Sequence, residues 1–264
     1  MGKGLRAYWK RLMLIASLAK NDFMSRYANS QLGVFWAFFR PIVMACVYIF
    51  VFSFIARATP VGSMYPYSLW MLPGLIVWFV FQEGLSSGVT TLSEYSFLVK
   101  NIRFDISILP YVKVTSAFIV HTFFIALIFV LYLLWGLPIK VYILQLPYYY
   151  FATYIFTFSL VRLACACQPF FKDLTVAIEI MLIAGVWACP IMWNLEMAPQ
   201  KYWPIFKINP IYHLVQGYRT CFMGDTWFWN DPGELAVFWL ITGALYFGGR
   251  RVFNRLSAHF ADVI

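Results

Sequence analysis

The chain has 264 residues, a formal net charge of +9 at pH 7 and a mean hydropathy of +0.72. Hydrophobic residues make up 62% of it and charged residues 12%, against about 25% charged residues in soluble globular proteins, so the composition excludes a soluble domain. The basic residues lie between apolar runs rather than in a separate polar domain, which favours a membrane surface rather than nucleic acid as their partner. We therefore expect residues 1–264 to form one integral membrane domain.

The first predicted element is a basic amphipathic helix within residues 1–33. At helical spacing its apolar stripe consists of Leu5, Tyr8, Trp9, Leu12, Ile15, Ala16, Ala19 and Phe23. Its polar face carries Arg6, Lys10, Ser17 and Asn21. Such a helix lies in a membrane surface with its cations toward the lipid headgroups; the alternative is a helix packed on a soluble core. The chain then bends at Leu32-Gly33.

Six apolar segments follow within residues 34–250, each long enough to cross the hydrocarbon core of a bilayer, which needs roughly 20 helical residues. The predicted spans are Val34–Ala56, Pro66–Leu92, Ile106–Trp135, Val141–Gln168, Leu174–Trp193 and Glu234–Arg250. The predicted fold is therefore an all-α integral membrane protein with six transmembrane helices and an N-terminal interfacial helix.

The charges between these spans predict the orientation of the chain. With the N-terminus inside, the inner segments 1–33, 93–105, 169–173 and 251–264 hold 11 Lys and Arg residues, and the outer segments hold five. The positive-inside rule then places both termini in the cytoplasm, with residues 251–264 as a cytoplasmic tail.

The longest outer segment, Asn194–Gly233, contains nine Tyr, Trp and Phe residues and is punctuated by prolines. So aromatic a segment is expected to fold back into the outer leaflet as short re-entrant helices, which membranes accommodate where protein or a water-filled cavity surrounds the backbone. The alternative is a simple aromatic belt at the membrane interface.

Five charged residues fall inside the predicted spans, roughly 8–14 Å from the inner boundary at 1.5 Å per residue; they are Arg40, Glu83, Lys113, Arg162 and Glu179. Charges at that depth normally face protein or water. In one interpretation the two acids pair with two of the cations while long side chains reach the interface. In the other, Arg40, Lys113 and Arg162 form a basic vestibule for a phosphate-bearing substrate. Arg40 is the first candidate, because a planar guanidinium suits phosphate oxygens.

Aromatic residues concentrate in the outer halves of the first, second and fifth spans. In membrane helices such rings usually pack or anchor the interface. Rings that faced a pore would instead offer flat surfaces to the apolar C–H faces of sugars, a track suited to a polymer. The candidate channel aromatics are Tyr48, Phe52, Trp78, Trp187 and Trp193.

The sequence contains no G-x-x-x-x-G-K-[ST] phosphate loop, no H-E-x-x-H and no G-x-S-x-G, so we expect no ATP hydrolysis by this chain alone and no metal or cofactor in it. The inner segment Ser93–Asp105 combines charges with aromatic residues, a pattern that suits docking in a groove of a soluble partner; the alternative is an ordinary solvated turn. Its candidate docking residues are Glu94, Phe97, Lys100, Arg103 and Phe104.

Several short motifs in this order resemble one known family, the permease subunits of ABC-2 type exporters of cell-surface polysaccharides. They are Asp22-Phe23, Arg26-Tyr27, Ser30, Leu32-Gly33, Trp36, Pro41, Phe170-Phe171-Lys172-Asp173-Leu174, Pro190-Ile191, Asn209-Pro210 and His259-Phe260-Ala261-Asp262-Val263-Ile264. The last motif looks more like O-antigen and teichoic-acid exporters than group 2 capsule exporters.

The resemblance implies a homodimer of six-span subunits in the bacterial inner membrane, with two separate ATPase subunits that bind ATP and Mg²⁺, an arrangement known as a type V exporter. Leu5–Phe23 would match the family's interface helix, Ser93–Asp105 its coupling helix and Asn194–Gly233 its re-entrant helices. The implied cargo is an undecaprenyl-pyrophosphate-linked glycan. Two alternatives stay open: an exporter of small drugs or lipids with the same fold, and a membrane enzyme acting on lipid-linked sugars through Glu83 and Glu179.

Overall fold

The computed structural model describes residues 2–57, 65–100 and 104–264, with side chains from Arg6 onward. Within these ranges every regular element is a helix. The helices are α1 (Gly2–Ser25), α2 (Phe35–Phe50), α3 (Tyr67–Val89), α4 (Thr91–Glu94), α5 (Ser96–Val99), α6 (Leu109–Leu134), α7 (Leu146–Cys167), α8 (Leu174–Ala188), α9 (Trp203–Ile208), α10 (Pro210–Met223), α11 (Pro232–Leu256) and α12 (Phe260–Val263). A π-helical turn, Val51–Ile55, continues α2, and 3₁₀ turns lead into α6 and α7.

The described part of the chain contains four helical stretches that are long and apolar enough to cross a membrane. They are Phe35–Ile55, Tyr67–Val89, Ile106–Leu134 and Val141–Cys167. Each coincides with one of the first four predicted spans to within a few residues at its ends. An all-helical protein with several candidate spans is therefore confirmed.

The fifth predicted span, Leu174–Trp193, extends past the end of α8. Pro190 disfavours helical backbone at the residue before it, and Cys189 is accordingly extended, with φ −86° and ψ 143°. The 15 residues of α8 reach only about 22 Å, less than the ~30 Å of a hydrocarbon core. The 25-residue α11 is long enough but less apolar, so the count of six spans stays a prediction.

Helix α3 lies at the centre of the fold. It is buried on nearly all sides, as expected of a helix that is hydrophobic all round, and it packs against α6, α7, α8 and α10. Pro73 in α3 cannot donate a backbone hydrogen bond to Leu69, and the hydroxyl of Tyr132 in α6 donates to the Leu69 carbonyl instead, at 3.1 Å. The central helix thus keeps its polar backbone satisfied despite an internal proline.

The N-terminal helix α1 packs along α6 through the C-terminal part of its predicted apolar stripe. Ile15, Ala19 and Phe23 are buried, whereas Tyr8 and Trp9 are about three-fifths exposed. The chain turns after α1, and Gly33 has a φ of 53°, a left-handed conformation that favours glycine. The bend predicted at Leu32-Gly33 is therefore present.

Helices α2 and α8 lie at the periphery of the subunit. In α2 the buried side chains are Ala37 and Ala45, and most of its larger apolar residues are exposed. In α8 one stripe is buried, formed by Ile178, Leu182 and Val186 at a spacing of four residues. The remaining faces of both helices are exposed in this chain and mostly apolar, apart from Arg40 on α2 and Glu179 on α8.

The outer segment between α8 and α11 folds into the short helices α9 and α10. Asn209 caps α10 by accepting a hydrogen bond from the backbone N–H of Ile211, and Pro210 suits the first helical position. Most residues of α10 are buried against α3 and α7. The segment predicted as re-entrant helices is thus helical and packed on the core, and its depth in the membrane stays a prediction.

At the opposite end, α11 runs to Leu256, so the predicted tail 251–264 is helical for much of its length. The short α12 folds back so that Phe260 is fully buried against Phe253 and Phe170. This inner cluster also contains Val99 of α5. The C-terminal end therefore packs beside the α4–α5 segment.

Candidate functional site

A cleft of about 480 Å³ lies between the α1–α2 turn, α2, α3, α6 and α8. Its lining changes character along the helix axes. Polar and charged side chains line one end: Arg26, Tyr27, Arg40, Gln82, Glu83, Ser86 and Ser116. Aromatic side chains line the other: Tyr48, Trp78, Phe79 and Trp187. The rings of Phe23 and Trp36, within one turn of Arg26 and Arg40 along the chain, also line the cleft. Arg40 and Tyr48 both stand on α2, eight residues and therefore about 12 Å apart along its axis, so one cleft joins a cationic end to an aromatic end.

Arg40 lines the polar end of the cleft and is exposed to it. It forms no ion pair with a carboxylate in the described part of the chain. Its guanidinium is therefore available to an anionic ligand, and its planar fork can take two phosphate oxygens at once. Of the three cations predicted for the vestibule, Arg40 is the one that lies in the cleft.

Beside Arg40, a network of ion pairs connects the end of α1 to α3, α4 and α6. Asp22 in α1 accepts bonds from Arg26 at 2.6 and 3.0 Å, from Lys113 at 2.8 Å and from the hydroxyl of Tyr95 at 2.7 Å. Arg26 also reaches Glu83 in α3 at 2.5 Å, and Lys113 reaches Glu94 in α4 at 2.5 Å; both cations thus bridge two carboxylates.

The two ends of this network differ from its centre in exposure. The side chains of Asp22 and Lys113 are 2–3% exposed, whereas those of Glu83 and Glu94 are 48% and 47% exposed. An exposed ion pair stabilises a protein by about 0.2–1 kcal/mol, whereas removing one partner of a buried pair costs about 3–5 kcal/mol. Asp22 and Lys113 therefore form the buried centre of the network, and the two glutamates form its exposed ends.

The charges around Asp22 also determine its ionisation. Burial raises the pKa of the Asp22 carboxyl, but the nearby Arg26 and Lys113 outweigh that effect, and the pKa lies below its ordinary value. Asp22 is consequently ionised near neutral pH, as its ion pairs require.

The structure does not bring the three predicted vestibule cations together. Lys113 belongs to the buried network described above. Arg162 in α7 lies between the rings of Phe158 and Phe253, with its guanidinium carbon 6.0 and 5.5 Å from the two ring centroids. Its Nε has no hydrogen-bond partner among the described atoms. Lys113 and Arg162 thus lie outside the cleft lining, and pyrophosphate binding stays a prediction for all three.

The ion-pair interpretation of the intramembrane acids holds for Glu83 but not in the form expected. Its partner is Arg26, in the turn after α1, rather than a cation inside a span. Glu179 on α8 is exposed and has no ion pair among the described residues.

Three of the five predicted channel aromatics line the aromatic end of the cleft. Tyr48 and Trp187 are in edge contact, with ring centroids 6.2 Å apart, and Trp78 lies on α3 in the same lining. Phe52 borders this group, 6.4 Å from Trp187. Trp193 lies apart, where its indole N–H donates to the Trp187 carbonyl and its ring packs on Phe206. Tyr48, Trp78 and Trp187 thus share one cleft, Phe52 borders it, and channel lining stays a prediction for all five residues.

The predicted docking segment forms α4 and α5 directly after the C-terminal end of α3. Phe97 is 68% exposed and Lys100 is exposed, whereas Phe104 is half-buried. Glu94 faces inward to Lys113, and Arg103 lies outside the described residues. The segment thus presents α5 outward while Glu94 connects it to the network around Asp22.

Sequence reasoning from charges missed Arg219, which connects α10 to its neighbours. This buried guanidinium donates to the carbonyls of Trp70 at 3.3 Å, Pro190 at 3.0 Å and Ile191. It also lies 3.6 Å from the centroid of the Trp70 ring. A single cation within an aromatic, buried segment was the available signal, because such a charge needs partners. Arg219 joins α10 to α3 and to the turn after α8.

Comparisons with known proteins agree with this architecture. A family model described as "ABC-2 type transporter" matches residues 13–223. Two proteins from Klebsiella pneumoniae, each described as "O-antigen export system permease protein RfbA", are 23% and 22% identical to the chain over 252 residues. One of the same description from Myxococcus xanthus is 23% identical over 253 residues. Each alignment covers 95% of this chain and 95% of the relative.

Proposed function

The chain belongs to the ABC-2 type transporter family, and from this premise we propose that it is the membrane-spanning permease subunit of an ABC transporter that exports O-antigen. Relatives that align along 95% of the chain are described as O-antigen export permeases. Within the proposal the protein is a multi-pass component of the bacterial inner membrane with six spans and both termini in the cytoplasm. Teichoic acid and capsule are other cargoes of the same chemical kind.

The observation that carries the proposal is the cleft with a cationic and an aromatic end. In the proposed mechanism the pyrophosphate of an undecaprenyl-linked glycan binds at Arg40, where no carboxylate of the described chain competes for the guanidinium. The glycan then passes Tyr48, Trp78 and Trp187, whose rings pack on the C–H faces of sugars without fixing one hydroxyl pattern. A cargo that is anionic at one end and a neutral polymer at the other fits both ends of the cleft.

A second copy of the chain completes this passage in the proposal. The cleft is bordered by α2 and α8, the two helices whose outward faces are exposed in this chain and mostly apolar. Pairing two subunits along α2 and α8 would cover these faces and enclose a passage between two clefts. The homodimer would then carry two copies of Arg40 and of the aromatic lining.

Energy would come from two ATPase subunits that bind ATP and Mg²⁺ and dock on the α4–α5 segment. Exposed Phe97 and Lys100 offer an apolar and a cationic contact, and Arg103 and Phe104 follow in the sequence. A movement of α4 would reach the cleft through Glu94 and Lys113. ATP binding and hydrolysis in the partner must favour two different conformations of the permease in turn, because the cargo's charge alone cannot drive export.

Co-purification tests the proposal. We expect the tagged full-length chain, extracted from its native membrane, to retain an ATP-binding subunit and a pyrophosphate-linked glycolipid. Recovery of the chain with neither of them would contradict the proposed function. Recovery of the ATPase with a small lipid or drug, and no glycan, would favour the exporter alternative with the same fold.

A further inference from the structure

Arg26 is held by two carboxylates that differ in how firmly they are fixed. Asp22 is buried and has three partners, Arg26, Lys113 and Tyr95. Glu83 lines the cleft, is 48% exposed, and reaches Arg26 through a single guanidinium nitrogen, Nη1. Within the described chain, Arg26 thus pairs with one buried carboxylate and one that lines the cleft, and it also donates to the hydroxyl of Ser116 at 3.2 Å.

We propose that Glu83 stands in for the anionic headgroup of the cargo: it holds Arg26 while the cleft is empty and releases it to the pyrophosphate when cargo binds. The inference rests on the proposed function and adds a second binding residue, Arg26, and a competitor, Glu83. Charges counted along the sequence suggest neither role. Glu83 alone would repel an anion, and its ion pair with Arg26 is visible only in the fold.

The geometry favours exchange at Glu83 rather than elsewhere in the network. A half-exposed carboxylate at the end of a flexible side chain can turn into the cleft and be solvated. Displacing Asp22 would instead leave the hydroxyl of Tyr95 without its acceptor and buried Lys113 with the half-exposed Glu94 alone. Arg26 and Arg40 both line the polar end of the cleft, so release of Arg26 gives a pyrophosphate two guanidinium groups instead of one.

The same exchange has a consequence on the α4–α5 segment. Arg26 shares Asp22 with Lys113 and Tyr95, and Lys113 binds Glu94. When a phosphate replaces Glu83 at Arg26, the charge around the Arg26–Asp22 pair changes, and Asp22 transmits that change to Lys113 and Tyr95. Cargo binding and the position of the docking segment are then coupled, and the coupling is reciprocal by thermodynamic necessity.

The binding test uses the purified full-length chain in lipid nanodiscs with geranylgeranyl pyrophosphate as the probe and geranylgeraniol as its neutral control. We expect Glu83→Gln to tighten binding of the pyrophosphate by about five- to twentyfold, because it removes a competing ion pair and a nearby negative charge. Glu83→Asp, which keeps the charge, should restore weaker binding. Binding of geranylgeraniol should not change.

Glu179→Gln is the matched control, because Glu179 is an exposed acid of the same type on α8, without an ion pair among the described residues. Equal tightening by Glu179→Gln, or none by Glu83→Gln, would overturn the inference while leaving the proposed function intact. If the wild-type chain binds the pyrophosphate no better than the alcohol, the proposed entrance fails as well. The factor by which Glu83→Gln tightens binding should be the same for inorganic pyrophosphate as for geranylgeranyl pyrophosphate. Tightening seen with the lipid alone would contradict a competition between Glu83 and the pyrophosphate group.

The coupling test uses the complex with its ATPase subunits. Because Glu83→Gln mimics the cargo-bound state of Arg26, we expect it to raise basal ATP hydrolysis and reduce the further stimulation by geranylgeranyl pyrophosphate. Glu179→Gln should keep the wild-type ratio of stimulated to basal activity. An unchanged ratio in Glu83→Gln would overturn the link between the cleft and the docking segment.

Discussion

Replacing Lys113 by methionine tests the structural role of the buried network. The substitution keeps the length and apolar stem of the side chain but removes the ammonium that lies 2.8 Å from Asp22 and 2.5 Å from Glu94. Asp22 then keeps Arg26 and Tyr95 but loses its buried neutralising partner. We expect a large loss of stability, because Arg26 then has to neutralise both Asp22 and Glu83, which leaves an excess negative charge at a buried site.

The exposure of the two paired side chains sets the size of the expected stability loss. Both side chains of the Lys113–Asp22 pair are 2–3% exposed, so the value for breaking a buried pair applies, about 3–5 kcal/mol, and not the 0.2–1 kcal/mol of an exposed pair. With a shift of about 2–4 °C per kcal/mol for a chain of this size, the melting temperature should fall by roughly 6–20 °C.

The assay is size-exclusion chromatography of the detergent-solubilised chain after heating. Lys172→Met is the control, since Lys172 is an exposed cation without an ion pair among the described residues. Adding Asp22→Asn to Lys113→Met should recover part of the loss, because the amide leaves no buried charge. If Lys113→Met melts within about 2 °C of Lys172→Met, the network is not buried as described and the reasoning fails.

Three further results are expected. Arg40→Ala should reduce export at least tenfold, about the 1.4 kcal/mol of one charge-assisted hydrogen bond to the cargo, with unchanged assembly and melting temperature; normal export would remove Arg40 from the binding site. Ionised Asp22 contributes its full stability above its ordinary pKa, and this contribution is lost as the pH falls through its depressed folded pKa. The melting temperatures of wild type and Asp22→Asn should therefore differ at pH 7 and converge in acid. A difference that stays constant with pH would contradict this. Gly217→Ala places a methyl group against the ring of Tyr149 and should cost about 1–3 kcal/mol. Gly243→Ala in α11 meets no described atom within 4 Å and should leave the melting temperature unchanged or raise it slightly, because alanine favours a helix interior. Equal melting of the two variants would show that the ring moves aside.

Elements that depend on a local pattern along the chain were predicted from the sequence. Uninterrupted apolar length placed the first four spans, and glycine at position 33 marked the bend that the backbone makes with positive φ. The outer end of α8 was placed too late, because apolar composition continues past Ala188 while Pro190 has already ended the helix. Hydropathy reports length and not backbone conformation, so such a boundary needs the local effect of proline.

The candidate site shows a different limit of sequence patterns. The depth of a charge in a span grouped Arg40, which lines the cleft, with Lys113 and Arg162, which lie in other surroundings. Depth is one coordinate, whereas the cleft depends on which face of each helix meets its neighbours. Asp22 and Arg26, four residues apart at the end of α1, form an ion pair that spacing allows, yet only the fold brings Glu83 to it.

The central claim is that the cleft carries the glycolipid, and photo-crosslinking tests it most directly. A photoreactive amino acid is placed at Trp187 in the cleft lining or at Leu240, an exposed residue of α11 outside that lining. After irradiation of cells that export the glycan, we expect a glycan-bearing adduct at position 187 and none at position 240. Adducts of equal yield at both positions, or none at position 187 while export continues, would contradict the cleft as the cargo path.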